Sequence, residues 1–395
     1  MTKYKLPYGR DNMEVDIPEE RVSAVMLSQM HYYKPELSQE ELVKESLENP
    51  IGSPKLSQMA EGKEKVVIIA SDHTRPVPSK IIMPQMLAEV RKGNPDADIT
   101  ILISTGCHRE TTKEELEDKF GPEIMKNEKI LVHDCDDEEN LVKIGYLPSG
   151  GPLIINRLVV EADLVAAEGF IEPHFFAGFS GGRKSIFPGV TSRVAVMSNH
   201  NAQFIDHPNS RTGIVEGNPI HRDMLYAARA GRLDFICNVV INSDKEIIYS
   251  VAGDCDLAHI EGREFLSSQC KVDAVPSDIV ISTNGGYPLD QNIYGGEQFY
   301  KSFKEEKDLD KMMQEFLDTP SDETIPDQWQ SQIFARVLQG ARVIYVSDAP
   351  DEMVKDLHMI PAHSIEEAIE KADEILGKKD SKIAIIPDGV SVIVI

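Results

Sequence analysis

The chain of 395 residues carries 41 lysines and arginines against 66 aspartates and glutamates, a formal charge of −25, and is 41% hydrophobic. That length suits two or three domains, and that balance is too apolar for a disordered chain. So acidic a composition excludes nucleic acid or an anionic membrane as the main partner, while a small anionic substrate needs only a local basic pocket.

The opening segment MTKYKLPYGRDNMEVDIPEE lacks the apolar core of a secretory signal, so a cytoplasmic location is expected. Residues 66–70 form the first apolar run of strand length, and residues 81–93 then read as a helix. A second strand is expected over 99–105. After it, Thr111 with Glu114, or Thr112 with Glu115, has capping-box spacing, and Gly121 closes that helix. Residues 129–133 and 164–169 supply further strands, and 235–242 with 246–251 read as a hairpin. Beyond a boundary near 270–277, strands are expected at 278–283, 342–346, 382–386 and 390–395. Ser364 with Glu367 caps a last helix, which Gly377 stops. Strands alternating with helices predict an α/β protein with mainly parallel sheets, divided into domains 1–272 and 273–395. No stretch reaches the roughly 20 apolar residues of a membrane span. Five scattered cysteines with no CxxC pair predict reduced thiols and exclude a cysteine-rich zinc or iron–sulfur site.

In open α/β sheets ligands bind beyond the carboxyl ends of the strands, so the loops there carry the chemistry. Residues 71–76, SDHTRP, place Asp72, His73, Thr74 and Arg75 in one turn; they read equally as an anion grip or as a capped surface turn. His108, two residues beyond Gly106, is placed to face a cleft as a proton shuttle, and Cys107 reads as packing. Residues 169–189 are the densest: GFIEPHFFAGFSGGRKSIFPG joins His174 and Lys184 to aromatic walls and many glycines. A P-loop fails there because Arg183 sits where the second glycine must be. Lys184 is left as a phosphate contact or a covalent anchor. His200 has no metal-ligand spacing to His174 and reads from spacing alone as structural; the acidic run 133–140 reads as a solvated turn.

Together SDHTRP at 71–76, STGCH at 104–108, EPHFFAGFSGGRKSIFPGV at 172–190, Asn199-His200 and GGYPLDQNIY at 285–294 resemble the nickel-dependent lactate racemase family. The resemblance implies two Rossmann-like α/β domains with the active site in the cleft between them. It also implies a nickel pincer cofactor, a nickel-bound pyridinium-3,5-bisthiocarboxylic acid mononucleotide. Lys184 matches the lysine that binds it covalently, His200 the protein ligand to nickel, and His108 and His174 the two acid/base histidines. Asp72, His73, Thr74 and Arg75 match the turn that holds cofactor and orients substrate. The implied reaction is inversion of a small anionic 2-hydroxy acid by proton-coupled hydride transfer through a 2-keto acid, after loading by cofactor-synthesis proteins.

At the family's substrate positions stand Tyr294, Gly295 and Gln298, where lactate-specific members carry a glutamine and a lysine in place of the last two. Losing those carboxylate contacts and opening volume predicts a bulkier or polyhydroxy acid, with Arg75 holding the carboxylate. Lactate itself is the alternative substrate, and non-catalytic binding of a phosphorylated nucleotide-like ligand the alternative function. The oligomeric state stays open.

Overall fold

The computed structural model describes residues 2–8, 11–283 and 296–395. These form two compact units, one of residues 29–270 and one assembled from residues 1–28 and 271–395.

The larger unit is built on a six-stranded sheet: β1 (Lys65–Ser71), β2 (Asp98–Ser104), β3 (Lys129–Val132), β4 (Leu164–Phe170), β5 (Phe235–Ile241) and β6 (Ile247–Gly253). The order is β6-β5-β4-β1-β2-β3, parallel throughout except for the β5–β6 hairpin. Strands covered on both faces have no reason to alternate, and β4 is buried at every position. One face packs Ile68, Ile101 and Ile103 against Ile82, Met83 and Met86 of helix Ser79–Gly93. Helix Leu257–Cys270 lies on β5 and β6. Helix Lys113–Phe120 resolves the capping alternatives. Thr112 accepts from Glu115 N–H, Glu115 returns the bond, and Gly121 takes φ +80°. Thr111 is left to meet His73, with its hydroxyl 3.0 Å from Nδ1.

The second unit has a three-stranded parallel sheet, Ile279–Thr283, Arg342–Val346 and Ile360–Ala362 in that order. The chain's first 28 residues belong here rather than to the expected first domain. The reason is tertiary: Val15 and Ile17 are buried with Ile344, Val346 and Ile365, and strand Val22–Val25 pairs in parallel with Ile383–Ile385. Ser364 and Gly377 bound helix Ile365–Leu376 as read from the sequence. Of the strand expected over 390–395, Ile393–Val394 pairs with Lys271–Val272, and Ile395 extends the pairing through backbone bonds to Val272 and Ala274. Among the described residues, no helix is long and apolar enough to cross a membrane.

Candidate active site

Three loops at the carboxyl ends of β1, β2 and β4 carry Asp72 to Arg75, His108, and His174 with Lys184, while His200 caps the C-terminus of helix Arg193–Asn199. After β1 the chain turns at Asp72, which is 2% exposed. Its Oδ1 accepts from the Thr74 N–H at 3.1 Å and the Thr74 hydroxyl at 2.6 Å, and its Oδ2 lies 2.7 Å from His108 Nδ1. Burial alone would raise this carboxyl's pKa. The bond to His108, that ring's charge, Thr74 and His73 outweigh it and hold the pKa below the usual range. An ionised Asp72 takes the Nδ1 proton of a neutral His108, so Nε2 presents a lone pair. The His108 ring is half exposed.

The turn carrying His108 rests on the glycine-rich loop. Gly106 has φ +56°, and its N–H donates to Gly189 O at 2.9 Å. Gly189 admits no side chain, since a Cβ would lie 2.3 Å from Ser185 O and 2.9 Å from Ser104 Cβ.

His174 sits on a two-rung hairpin, opposite Gly178. Its Nδ1 accepts from the N–H groups of Phe176 at 3.5 Å and Ala177 at 3.3 Å, and its Nε2 is 2.8 Å from Lys184 Nζ. With Nδ1 an acceptor, the neutral ring carries its proton on Nε2, facing the Lys184 amine. The electrostatics agree. Burial first, then the charges of Lys184, Arg75 and Arg183, push His174 well below its ordinary pKa. Burial, then Arg75 and Arg183, does the same to Lys184. Arg75 itself is exposed, at the rim of this group.

Phe176 brings three predicted residues around one ring. His174 meets it edge-on at 4.5 Å, His200 at 5.1 Å, and Lys184 Nζ stands 5.7 Å from its centroid. His200, 4% exposed, is pushed down to about 3 by burial and then by the Lys184 charge. It is a neutral imidazole, the state that can ligate a metal. Phe175 stacks on His174 at 4.8 Å, meets Phe176 edge-on at 4.8 Å and is exposed.

Several supporting residues were not singled out from the sequence. Arg183, 1% exposed, donates to the carbonyls of Ala177, Ser180 and Gly181, at 2.8, 3.4 and 3.3 Å, and to His221 Nδ1 at 3.1 Å. It knots the glycine loop from inside, and burial lowers it to about 9. Asn238 on β5 accepts from Gly182 N–H at 2.7 Å. Lys119 donates to Ser71 Oγ at 3.1 Å, beside Asp72. The only advance signal was that Arg183 lies within the loop; the other two come from distant elements. Of the expected substrate residues, Gln298 is exposed on helix Gly296–Glu305. Tyr294 and Gly295 lie outside the described residues.

Comparison with known proteins matches residues 8–213 to the lactate racemase N-terminal domain, and 272–294 with 295–394 to the lactate racemase C-terminal domain. The lactate racemase of Thermoanaerobacterium thermosaccharolyticum is 50% identical, over 100% of this chain and 99% of its own. That of Lactiplantibacillus plantarum is 46% identical over 100% of both. The lactate racemase apoprotein structure from the first organism superposes with a TM-score of 0.93 at 48% identity, covering 100% of each chain. A Thermotoga maritima protein at 19% identity and a TM-score of 0.66 shares the fold. On these full-length matches and the convergence of the site loops, the chain belongs to the lactate racemase family and is an isomerase, a racemase.

Proposed function

We propose that this chain interconverts the enantiomers of a small 2-hydroxy acid, with lactate as the substrate, using His108 and His174 as the two proton-handling groups. The supporting observation is their complementary hydrogen bonding. Asp72 leaves His108 with a bare Nε2, whereas two backbone N–H groups leave His174 with a protonated one. One imidazole is set to accept a hydroxyl proton while the other offers one. The full-length relatives, both named lactate racemases, favour lactate over the bulkier acid expected from Gly295 and Gln298.

The residues present fit a nickel pincer nucleotide. His200 offers one neutral nitrogen, and among the described residues the only trio of clustered metal-ligating side chains is Asp134, Cys135 and Asp136, elsewhere in the unit. A metal at His200 must therefore bring its other donors with it. Lys184, as a free amine, would be the covalent tether, and the glycine turn with Arg75 would receive the phosphate. When bound, that group supplies an electrophile toward the substrate Cα–H. Arg75 would hold the substrate carboxylate. An anion entering there would offset the Arg75 and Arg183 charges that depress His174 and let it cycle between neutral and protonated.

The test uses protein co-produced with the cofactor-synthesis proteins. Intact-mass analysis should show an adduct absent from Lys184→Ala. Nickel should bind in proportion, and (S)- and (R)-lactate should interconvert with the Cα hydrogen retained in deuterated water. Solvent deuterium at Cα would overturn the hydride route, and gluconate turnover without lactate turnover would overturn the substrate.

A further inference from the structure

Two thiols meet beside the turn that carries His108. β2 and β3 are parallel neighbours with Ile103 opposite Val132, and the chain leaves both strands in the same direction. His133 N–H donates to Ile103 O at 3.0 Å, and the Thr105 hydroxyl to His133 O at 2.6 Å, so the two exit loops run side by side. Each then presents a cysteine three residues beyond its strand, and the two thiols lie near enough to shift one another's pKa. Cys135 is buried, Cys107 half-buried, and both are free. The charged groups around them are His133, Asp134, Asp136 and Arg193. Arg193 N–H donates to Cys135 O at 3.1 Å, and its guanidinium forks onto Asp136 at 2.9 and 2.7 Å. The Cys107 thiol and the Arg193 charge draw the Cys135 pKa down against burial, while that of Cys107 is pushed up. One sulfur of the pair thus ionises first and the other is left to resolve it.

We propose that Cys107 and Cys135 are a modification site, a dithiol that peroxide closes to a reversible disulfide and so displaces the turn bearing His108. One sulfur of the pair, as thiolate, attacks one peroxide oxygen; the S–O bond forms, the O–O bond breaks and hydroxide leaves. The other sulfur then attacks the sulfenyl sulfur and releases its oxygen as water. Two thiols are oxidised and one hydrogen peroxide is reduced to two waters. An external dithiol reopens the bond by exchange. Joining the sulfurs draws Cys107 toward Cys135, and His108, the next residue, moves with it against its 2.7 Å bond to Asp72. This last consequence rests on the role given to His108 above; the linkage itself does not.

The linkage is read on the full-length protein without cofactor, treated with hydrogen peroxide, alkylated and mapped without reduction. A Cys107–Cys135 peptide should appear, vanish with dithiothreitol, and be missing from Cys107→Ser and Cys135→Ser. Should the buried Cys135→Ser variant fail to fold, bridging of the wild-type pair by phenylarsine oxide, lost in Cys107→Ser, reads the same proximity. Links to other cysteines, or sulfinic acid on Cys135 with no link, would overturn the site. In the loaded enzyme, closure should slow racemisation by about a hundredfold, the cost of misplacing a catalytic group by roughly 1 Å. Dithiothreitol should restore the rate, and Cys107→Ser should be insensitive to peroxide. A closed disulfide with an unchanged rate would overturn the coupling to His108.

Discussion

Asp72 decides which nitrogen of His108 faces outward, because an ionised carboxylate at 2.7 Å can only accept the Nδ1 proton. An asparagine there can also donate, so Asp72→Asn leaves the tautomer unspecified. Racemisation by the loaded enzyme should fall by about 10²–10⁴-fold, the scale of a general acid–base contribution, with circular dichroism unchanged. Glu168 makes the opposite use of burial. It is 1% exposed on β4, takes a hydrogen bond from Ser79, and is raised by desolvation against the pull of Lys119 and Ser79. A raised folded pKa means the native state keeps a proton that the unfolded chain releases near about 4.3, so stability falls as pH rises above that point. Glu168→Gln should abolish this loss, gaining on wild type in urea melts between about pH 4 and 7; parallel curves would contradict it. Residue types were legible as chemistry in SDHTRP and in the lysine loop. His200 was not, because its place beside the Phe176 ring, 24 positions earlier, is a tertiary contact that ligand spacing does not record. The meeting of Cys107 with Cys135 depends likewise on which strands are neighbours.

The glycine-rich segment works as an element because its backbone is packed against other backbone. Gly181 has φ +76°, and a Cβ there would stand 2.8 Å from both Phe170 O and Asn238 Oδ1. Gly181→Ala should destabilise the larger unit by about 1–3 kcal/mol in chemical denaturation, the cost of a strained backbone position. It should also weaken formation of the Lys184 adduct. The helix at Lys113–Phe120 offers a milder test. Thr112→Ala removes one half of the capping box and should cost about 1 kcal/mol, whereas Thr111→Ala should leave the cap intact. Elements of this kind were the most readable. Residues 66–70 are an unbroken apolar run, and 99–103 are interrupted only by the buried Thr100, because both faces of the central strands are covered, and capping signals fixed the helices. The hairpin of Thr2–Tyr8 with Asp11–Ile17 was missed although its alternation is present, with Tyr4, Leu6 and Tyr8 on one strand and Met13, Val15 and Ile17 on the other. At the other end, the apolar run over 390–395 was over-read, since side-chain character cannot say which residues find a partner strand.

At the scale of the molecule, the units part at residue 270, beside the boundary read at 270–277, but the return of the first 28 residues to the far unit was not legible. Local patterns carry no record of contacts between positions more than 300 apart. Strand Val22–Val25 and the buried Val15 and Ile17 should therefore matter to the second unit alone. Deleting residues 1–28 should leave residues 29–270 protected in hydrogen exchange while Ile383–Ile385 and Arg342–Val346 lose protection. Uniform loss across both units would refute that division.

That same shared ownership has a temporal side. During synthesis the residues of 29–270 emerge together and can consolidate their sheet while translation continues. The leading segment must wait, its apolar side chains unshielded, until the tail leaves the ribosome. The chain's earliest and latest portions thus mature in one final event, and a trailing nascent chain is the interval in which chaperone protection would count most.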